Sequence, residues 1–178
     1  IFNKICQMAW ELADPGMFFL DRAEEANPTK NLGKIEACNP CGEEPLRPYE
    51  SCNLGSIVLP NHIIKIKGEK KIDWEKLREN IYLGIHFLDN MIDLSKFPLE
   101  KIAHEVRQTR KLGLGVVGFA SLLYVLEIPY NTTKAVVLMR DLIKFIEDES
   151  INASVILAKE RGTFPAFNGS SWGDWSSD

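Results

Sequence analysis

Apolar residues recur at helical spacing over residues 1–13 (IFNKICQMAWELA), and Asp14-Pro15-Gly16 supplies a stop. Cys6 lies inside this pattern and reads as a packing residue. Met17-Phe18-Phe19-Leu20 is a short apolar stretch, strand or buried loop, and residues 21–37 are polar and turn-rich around Asn27-Pro28 and Gly33. Pro40 and Gly42 both disfavour a helix interior, so the segment around them is extended or looped. Gly55–Pro60 and Ile63–Lys67 read as short strands bounded by turn residues.

The pattern then becomes helical. Asp73 is suited to cap a helix whose Trp74, Leu77, Ile81, Ile85, Leu88 and Ile92 fall on one face. Lys76 stands where a capping box would place Glu, so the box is absent. Pro98 can open the next helix at its first turn, and Arg107, Arg110 and Lys111 read as its solvated end, complementing the helix dipole. Residues 112–126 are apolar and contain glycine. Asn131 or Thr132 can cap a long helix that closes at Arg161-Gly162. Trp74 and Phe119 read as core. Residues 168–178 (NGSSWGDWSSD) form a polar tail expected to be poorly ordered.

Composition bounds the function. The 178 residues are 45% hydrophobic and 26% charged, as in an ordinary globular domain. A net charge of -4 argues against a nucleic-acid partner, which needs clustered Lys and Arg. No apolar run approaches the ~18–20 residues of a membrane span, and no secretory signal is visible. The chain opens at Ile1, already in helical pattern, so an internal piece of a longer protein is expected. Cys38, Cys41 and Cys52 cluster in a Pro- and Gly-rich stretch. A disulfide scaffold would be shorter and richer in cysteine, so a cytoplasmic setting, with cysteines kept for reactivity or metal binding, fits better.

Gly113-Leu114-Gly115-Val116-Val117-Gly118 has the letters of a dinucleotide fingerprint, but a charged helical stretch precedes it where a buried strand is required. Small residues that let a buried helix approach its neighbours are the expected role. Cys38-x-x-Cys41 has three readings. A redox pair would need a helix N-terminus, which Gly42-Glu43-Glu44-Pro45 does not offer. A zinc site could draw on Cys38, Cys41, Cys52 and His62, although a second close ligand pair is missing. His62, His86 and His104 are otherwise scattered and read as structural, and no metal set is assigned. In the third reading, Asn39, Cys41 and Glu43, spaced two apart, face one space if the backbone is extended. A carboxylate there can act as a base towards a hydroxyl, an amide can donate or accept hydrogen bonds, and a thiol can be a nucleophile or hydrogen-atom donor. Spacing alone leaves these readings open.

The longer string Asn39-Pro40-Cys41-Gly42-Glu43-Glu44-Pro45-Leu46-Arg47-Pro48-Tyr49-Glu50-Ser51-Cys52-Asn53-Leu54-Gly55-Ser56 closely resembles the active-site segment of ribonucleotide reductase large chains. The short gap between its two cysteines looks most like the adenosylcobalamin-dependent, class II enzymes. Asp14–Arg22, Asn27-Pro28, Phe87–Asn90, Arg110–Ala120 and Leu157–Gly162 extend the resemblance to about residue 167.

The resemblance implies an α/β fold: part of a ten-stranded α/β barrel over residues 1–167, with a finger loop at about 37–56 and a mostly helical region at about 73–162. It implies that Cys41 carries a thiyl radical that removes the 3′-hydrogen of the ribose. Glu43 would take the 3′-hydroxyl proton, and Asn39 would hydrogen-bond the sugar hydroxyls. Cys52 would be one of two cysteines that supply the reducing equivalents, and Asn39, Pro40, Cys41, Gly42 and Glu43 would line the substrate. Ribonucleoside di- or triphosphates, adenosylcobalamin, a thioredoxin-like reductant and a homodimer of the full-length enzyme follow as expectations. The isolated piece is expected to be inactive. Cys38 departs from the family, which more often has Thr there. The alternatives are a class I large chain that receives its radical from a separate metal-containing subunit, a zinc-stabilised helical binding module, and a purely structural relative.

Overall fold

The computed structural model describes residues 1–13 and 16–174. The expected stop at Asp14-Pro15 and the end of the tail, residues 175–178, lie outside the described residues. The chain forms two compact units, Ser51–Phe167 and Ile1–Glu50 with the segment from Asn168. The division falls inside the stretch expected to be one finger loop.

The larger unit is built on a parallel pair of strands, β1 (Asn53–Val58) and β4 (Leu112–Val117), with Asn53 opposite Leu112 and Val58 opposite Val117. Helix α3 (Trp74–Leu94) packs on both strands and on α6 (Thr133–Arg161). Asp73 caps α3 as expected, its Oδ1 accepting from Lys76 N at 3.0 Å. The predicted stripe is the buried face: Leu77, Ile81, Ile85, Leu88 and Ile92 are all buried, and Trp74 stacks edge-on against Phe145 at 4.8 Å. Leu77, Ile81 and Ile85 meet Ile57, Leu59, Leu122, Leu142 and Ile146 in one core, against which Trp74 and Phe145 pack. Full burial of one such aliphatic side chain is worth roughly 1.5–3 kcal/mol. Thr132 rather than Asn131 caps α6, accepting from Ala135 N at 3.3 Å, and Gly162 ends it at φ 89.

Several expectations change. The glycine-containing segment is strand β4, not a helix, because its side chains alternate across a sheet whose partner lies far away in sequence. Only Gly118 follows the strand, where a φ of 81 leads into the short α5 (Phe119–Val125). A Cβ on Gly118 would sit 2.8 Å from Pro60 Cδ, so both dihedral and space require glycine. Beyond β2 (Ile63–Ile66) the chain makes a second strand, β3 (Glu69–Ile72), through a two-residue turn. Lys67 and Gly68 both have positive φ there, as a type I′ hairpin turn demands. Helix α4 (Glu100–Thr109) starts one residue after its Leu99 cap, leaving Pro98 just outside it.

In the smaller unit α1 (Phe2–Leu12) forms as expected, but it buries none of its residues and Cys6 is exposed rather than packed. Met17-Phe18-Phe19 is neither strand nor buried, and Leu20 opens α2 (Leu20–Glu25). The tail expected to be poorly ordered is described as far as Asp174. Ser170 is fully buried, Ser171 N donates to Pro28 O at 2.9 Å, and a one-turn helix α7 (Ser171–Asp174) follows.

Candidate active site

Three sets of ties hold the loop that carries Cys41. At its base, Ala37 and Leu46 form an antiparallel bridge: Leu46 N donates to Ala37 O at 2.9 Å, and Leu46 O accepts from Glu36 N at 3.1 Å and Ala37 N at 3.4 Å. At its tip, Gly42 N donates to Asn39 O at 3.1 Å, closing a turn over Asn39-Pro40-Cys41-Gly42. The sequence suits a type I turn, with Asn first, Pro second and Gly fourth, and Cys41 has no positive φ. The extended alternation of Asn39, Cys41 and Glu43 is therefore corrected: the backbone reverses between the first and the last of them. Gly42 has φ 84, and a Cβ placed there would meet nothing within 4 Å, so the dihedral, not crowding, selects glycine.

The third set of ties uses Asn39 itself. Its Oδ1 accepts from Gly42 N and Glu44 N, each at 3.1 Å, which fastens the turn from inside. Only an oxygen can accept twice, so the amide oxygen faces the loop and the Nδ2 hydrogens remain to be donated. Asn39 and Cys38 are half-buried, while Cys41 and Glu43 are exposed. The loop thus presents a thiol and a carboxylate to solvent, with the Asn39 amide donor at the start of the same turn.

Below the loop lies a buried pair that sequence reasoning alone misses. Arg47 and Glu50 have side chains 5% and 0% exposed and meet at 3.0 Å. The available signal is their spacing of three across Pro48-Tyr49, where Tyr49 takes a positive φ of 64 and Glu50 N donates to Arg47 O. Arg47 Nη1 donates to Leu32 O at 2.9 Å. The same stretch is held from the other side by Glu24, whose carboxylate accepts from Ile35 N at 2.8 Å. That backbone hydrogen bond, opposed by partial burial and helped by Asn27, Lys30 and Lys34, holds the Glu24 carboxyl below its usual range.

Cys52, in the larger unit, is half-buried immediately before β1, with its Sγ 3.6 Å from Asn53 O. Asn53 Nδ2 donates to Leu88 O at 3.2 Å, fixing the start of the strand to α3. His62 is buried, with Nδ1 3.0 Å from Val58 O and Nε2 2.7 Å from Asn80 Nδ2. A neutral ring donating to the carbonyl and accepting from the amide satisfies both contacts, so neither nitrogen is left for the zinc set. Among the described residues, no three His, Cys, Asp or Glu side chains come together as a metal site.

Arg110 is not a solvated helix end. It terminates α4 in the left-handed region and reaches back to α3, with Nε 2.9 Å and Nη2 2.8 Å from Asp89 Oδ1 and Nη1 2.9 Å from Asp93 Oδ1. Arg161, at the end of α6, donates to Asp89 Oδ2 at 2.9 Å and Asn90 Oδ1 at 2.8 Å, and also contacts His86 Nε2. Asp89 is thus a buried hub joining the ends of three helices. Asp89→Asn is expected to destabilise the protein by about 2–3 kcal/mol, because two arginines lose their shared charge. Asp93→Asn should cost only about 0–1 kcal/mol, its side chain being 59% exposed. Urea denaturation midpoints of the two variants check the order. The Arg110 hydrogen bond holds the Asp93 carboxyl below its ordinary value, against the opposing effect of burial. Its small contribution is therefore complete above about pH 3.9 and is lost as pH falls through the lower native value.

Comparison with known proteins places these features. The family model of the ribonucleotide reductase barrel domain matches residues 1–177. The chain belongs to that family. It is 52% identical over 172 residues to the vitamin B12-dependent ribonucleoside-diphosphate reductase of Thermoplasma acidophilum, covering 97% of this chain and 22% of that protein. It is 46% identical to the enzyme of the same description from Mycobacterium tuberculosis (strain H37Rv), covering 96% and 24% respectively. Among solved structures it matches the Actinobacillus ureae class Id ribonucleotide reductase alpha subunit with TM-score 0.77 and 25% identity, over 94% of this chain and 33% of that one. The chain thus spans roughly a fifth to a quarter of the B12-dependent relatives. The expected mixed α/β fold of the barrel domain holds. Among the described residues, no helix is long and apolar enough to cross a membrane.

Proposed function

We propose that this chain supplies the radical-bearing loop of a ribonucleoside-diphosphate reductase. The observation that carries the reading is the pinned loop: a thiol exposed on a closed turn, with Glu43 beyond it and an amide donor at its start. A thiyl radical on Cys41 takes the 3′-hydrogen of the ribose. Glu43 accepts the 3′-hydroxyl proton as general base, and Asn39 donates an Nδ2 hydrogen to a sugar hydroxyl. Its carbonyl, committed to Gly42 and Glu44, takes no part. Loss of the 2′-hydroxyl as water consumes two electrons and two protons from a cysteine pair, which leaves as a disulfide; the 3′-hydrogen returns from Cys41. Cys52 is one member of that pair, by its place in the family's motif. A thioredoxin-like dithiol in the cytoplasm would restore it, and the full-length enzyme would act as a homodimer on di- or triphosphates.

The accessible Cys41 thiol fits a radical source by its chemistry, whereas no residue of this chain is assigned to hold a corrin. Adenosylcobalamin, when bound by the full-length protein, supplies the radical; the chain's own residues position and shield the sugar. A second reading has support in the 37% identity to the ribonucleoside-diphosphate reductase subunit alpha of Chlamydia pneumoniae. There the radical would come from a separate subunit. Assay of a protein of the relatives' full length carrying this sequence separates the two. Deoxynucleotide formation with adenosylcobalamin and a dithiol, without another subunit, is the expected result. A requirement for a metal-containing partner overturns the cobalamin reading, and inactivity with either radical source overturns both. The 178 residues alone are expected to be inactive.

A further inference from the structure

We propose that Arg47 is a positioning residue for Cys41, acting through the leg of the loop that Leu46 anchors; this rests on the radical-loop reading above. Arg47 follows directly on the Ala37–Leu46 bridge, so its backbone fixes where the loop leaves the unit. Its guanidinium is held from two directions. Nη1 reaches Leu32 O at 2.9 Å, while Nε and Nη2 reach Glu50 Oε1 at 3.2 and 3.0 Å. Its backbone N donates to the other Glu50 oxygen at 2.8 Å. One planar fork therefore ties the strand-like leg at 46–47, the turn at 47–50 and the 3₁₀ turn Lys30–Leu32 together.

Thermodynamic stability does not account for such a pair. Withdrawing both charges from water costs about what their attraction returns, and apolar pairs of similar volume often match or exceed it. What the fork gives, and apolar side chains do not, is direction: its planar donors fix angles as well as distances. Because Asn39 ties the tip to itself and the bridge ties the base, a displacement of Arg47 is carried along the leg towards Cys41. Hydrogen abstraction demands close alignment, and an error of about 1 Å can cost on the order of 10²-fold in rate.

Three variants of the full-length protein test this. Arg47→Lys keeps the charge but cannot serve Leu32 and Glu50 at once. Its kcat is expected to fall about tenfold, with KM within about threefold of wild type. Arg47→Met should lower both stability and kcat, since it leaves the Glu50 carboxylate buried beside an apolar chain. Arg47→Met/Glu50→Met should recover the thermal midpoint without recovering kcat, which stays roughly 10–100-fold down. A merely structural role predicts that turnover returns together with stability, and that result would overturn the proposal. Unchanged kcat in Arg47→Lys would overturn it too, even if the double variant fails to fold. Alkylation of Cys41 by iodoacetamide, followed by peptide mass, keeps this test separate from the parent reading. If wild type reduces no nucleotide, that reading fails, and an alkylation rate unchanged in Arg47→Lys then shows that Arg47 does not hold the loop.

Discussion

Cys41→Ser in a protein of the relatives' full length is expected to abolish nucleotide reduction while leaving the fold intact. Serine reproduces the shape and hydrogen bonding of the thiol, but its O–H bond is too strong to yield a radical to the same oxidant. No alternative thiol stands at the tip of the turn: Cys38 precedes it and is half-buried. Because the chemistry has no slower route through the same loop, the loss should reach the assay floor, at least about 10⁶-fold. Cys41 is exposed and belongs to no core cluster, so stability should change by less than about 0.5 kcal/mol. Chromatographic detection of the deoxynucleotide, with circular dichroism of the same sample, measures both. Turnover above the floor in a correctly folded variant would remove Cys41 from the radical role.

Glu43→Gln is the second large effect, expected to lower kcat by about 10²–10⁴-fold with KM little changed. The substitution keeps the volume and a hydrogen-bonding oxygen and removes only the capacity to take a proton. The loop survives it, since the tip is tied by Asn39 and the base by the Ala37–Leu46 bridge, and neither uses the Glu43 side chain. Glu44→Gln is the natural control. Its backbone N–H donates to Asn39, but its carboxylate is outside the proposed proton path, so turnover should stay within about twofold of wild type. Equal losses in the two variants would point to a general charge effect on substrate binding, and Glu43 would lose its role as base.

The parts of the fold that sequence reveals are those set within one helical turn or one cap. Asp73 and Thr132 are acceptors placed before periodic apolar faces, and both cap as expected. Helix α3 buries the expected stripe because each member follows from a spacing of three or four. Strand β4 escapes because Leu-Gly-Leu-Gly-Val-Val carries no polar alternation and its partner β1 lies 59 positions upstream. Arg110 resembles a solvated end because its carboxylate, Asp89, is 21 residues away, and Arg161, which shares that carboxylate, lies 72 residues from it. In the loop, Asn-Pro-Cys-Gly holds the signature of a closed turn, but Pro40 and Gly42 by themselves say only that a helix is broken. The residue types brought to the loop are legible; its curvature is not. The Arg47–Glu50 pair is hidden for another reason. Charged residues in a polar stretch predict exposure, and burial becomes tolerable only through donors and acceptors supplied by Leu32 and the turn itself.

The contact between Gly118 and Pro60 acts as a pawl between two parallel strands. Each residue stands just past the end of its strand, and a methyl group on the glycine would overlap the proline ring. Sliding β4 by one position would drive Val117 or Phe119 into that ring and turn every inward side chain outward. Cys52 sits at the opposite end of β1, so its height along the sheet, about 3.3 Å per step, is set by a steric stop eight residues away. The thiol proposed as one half of the redox pair is thereby indexed by a glycine with no chemistry of its own.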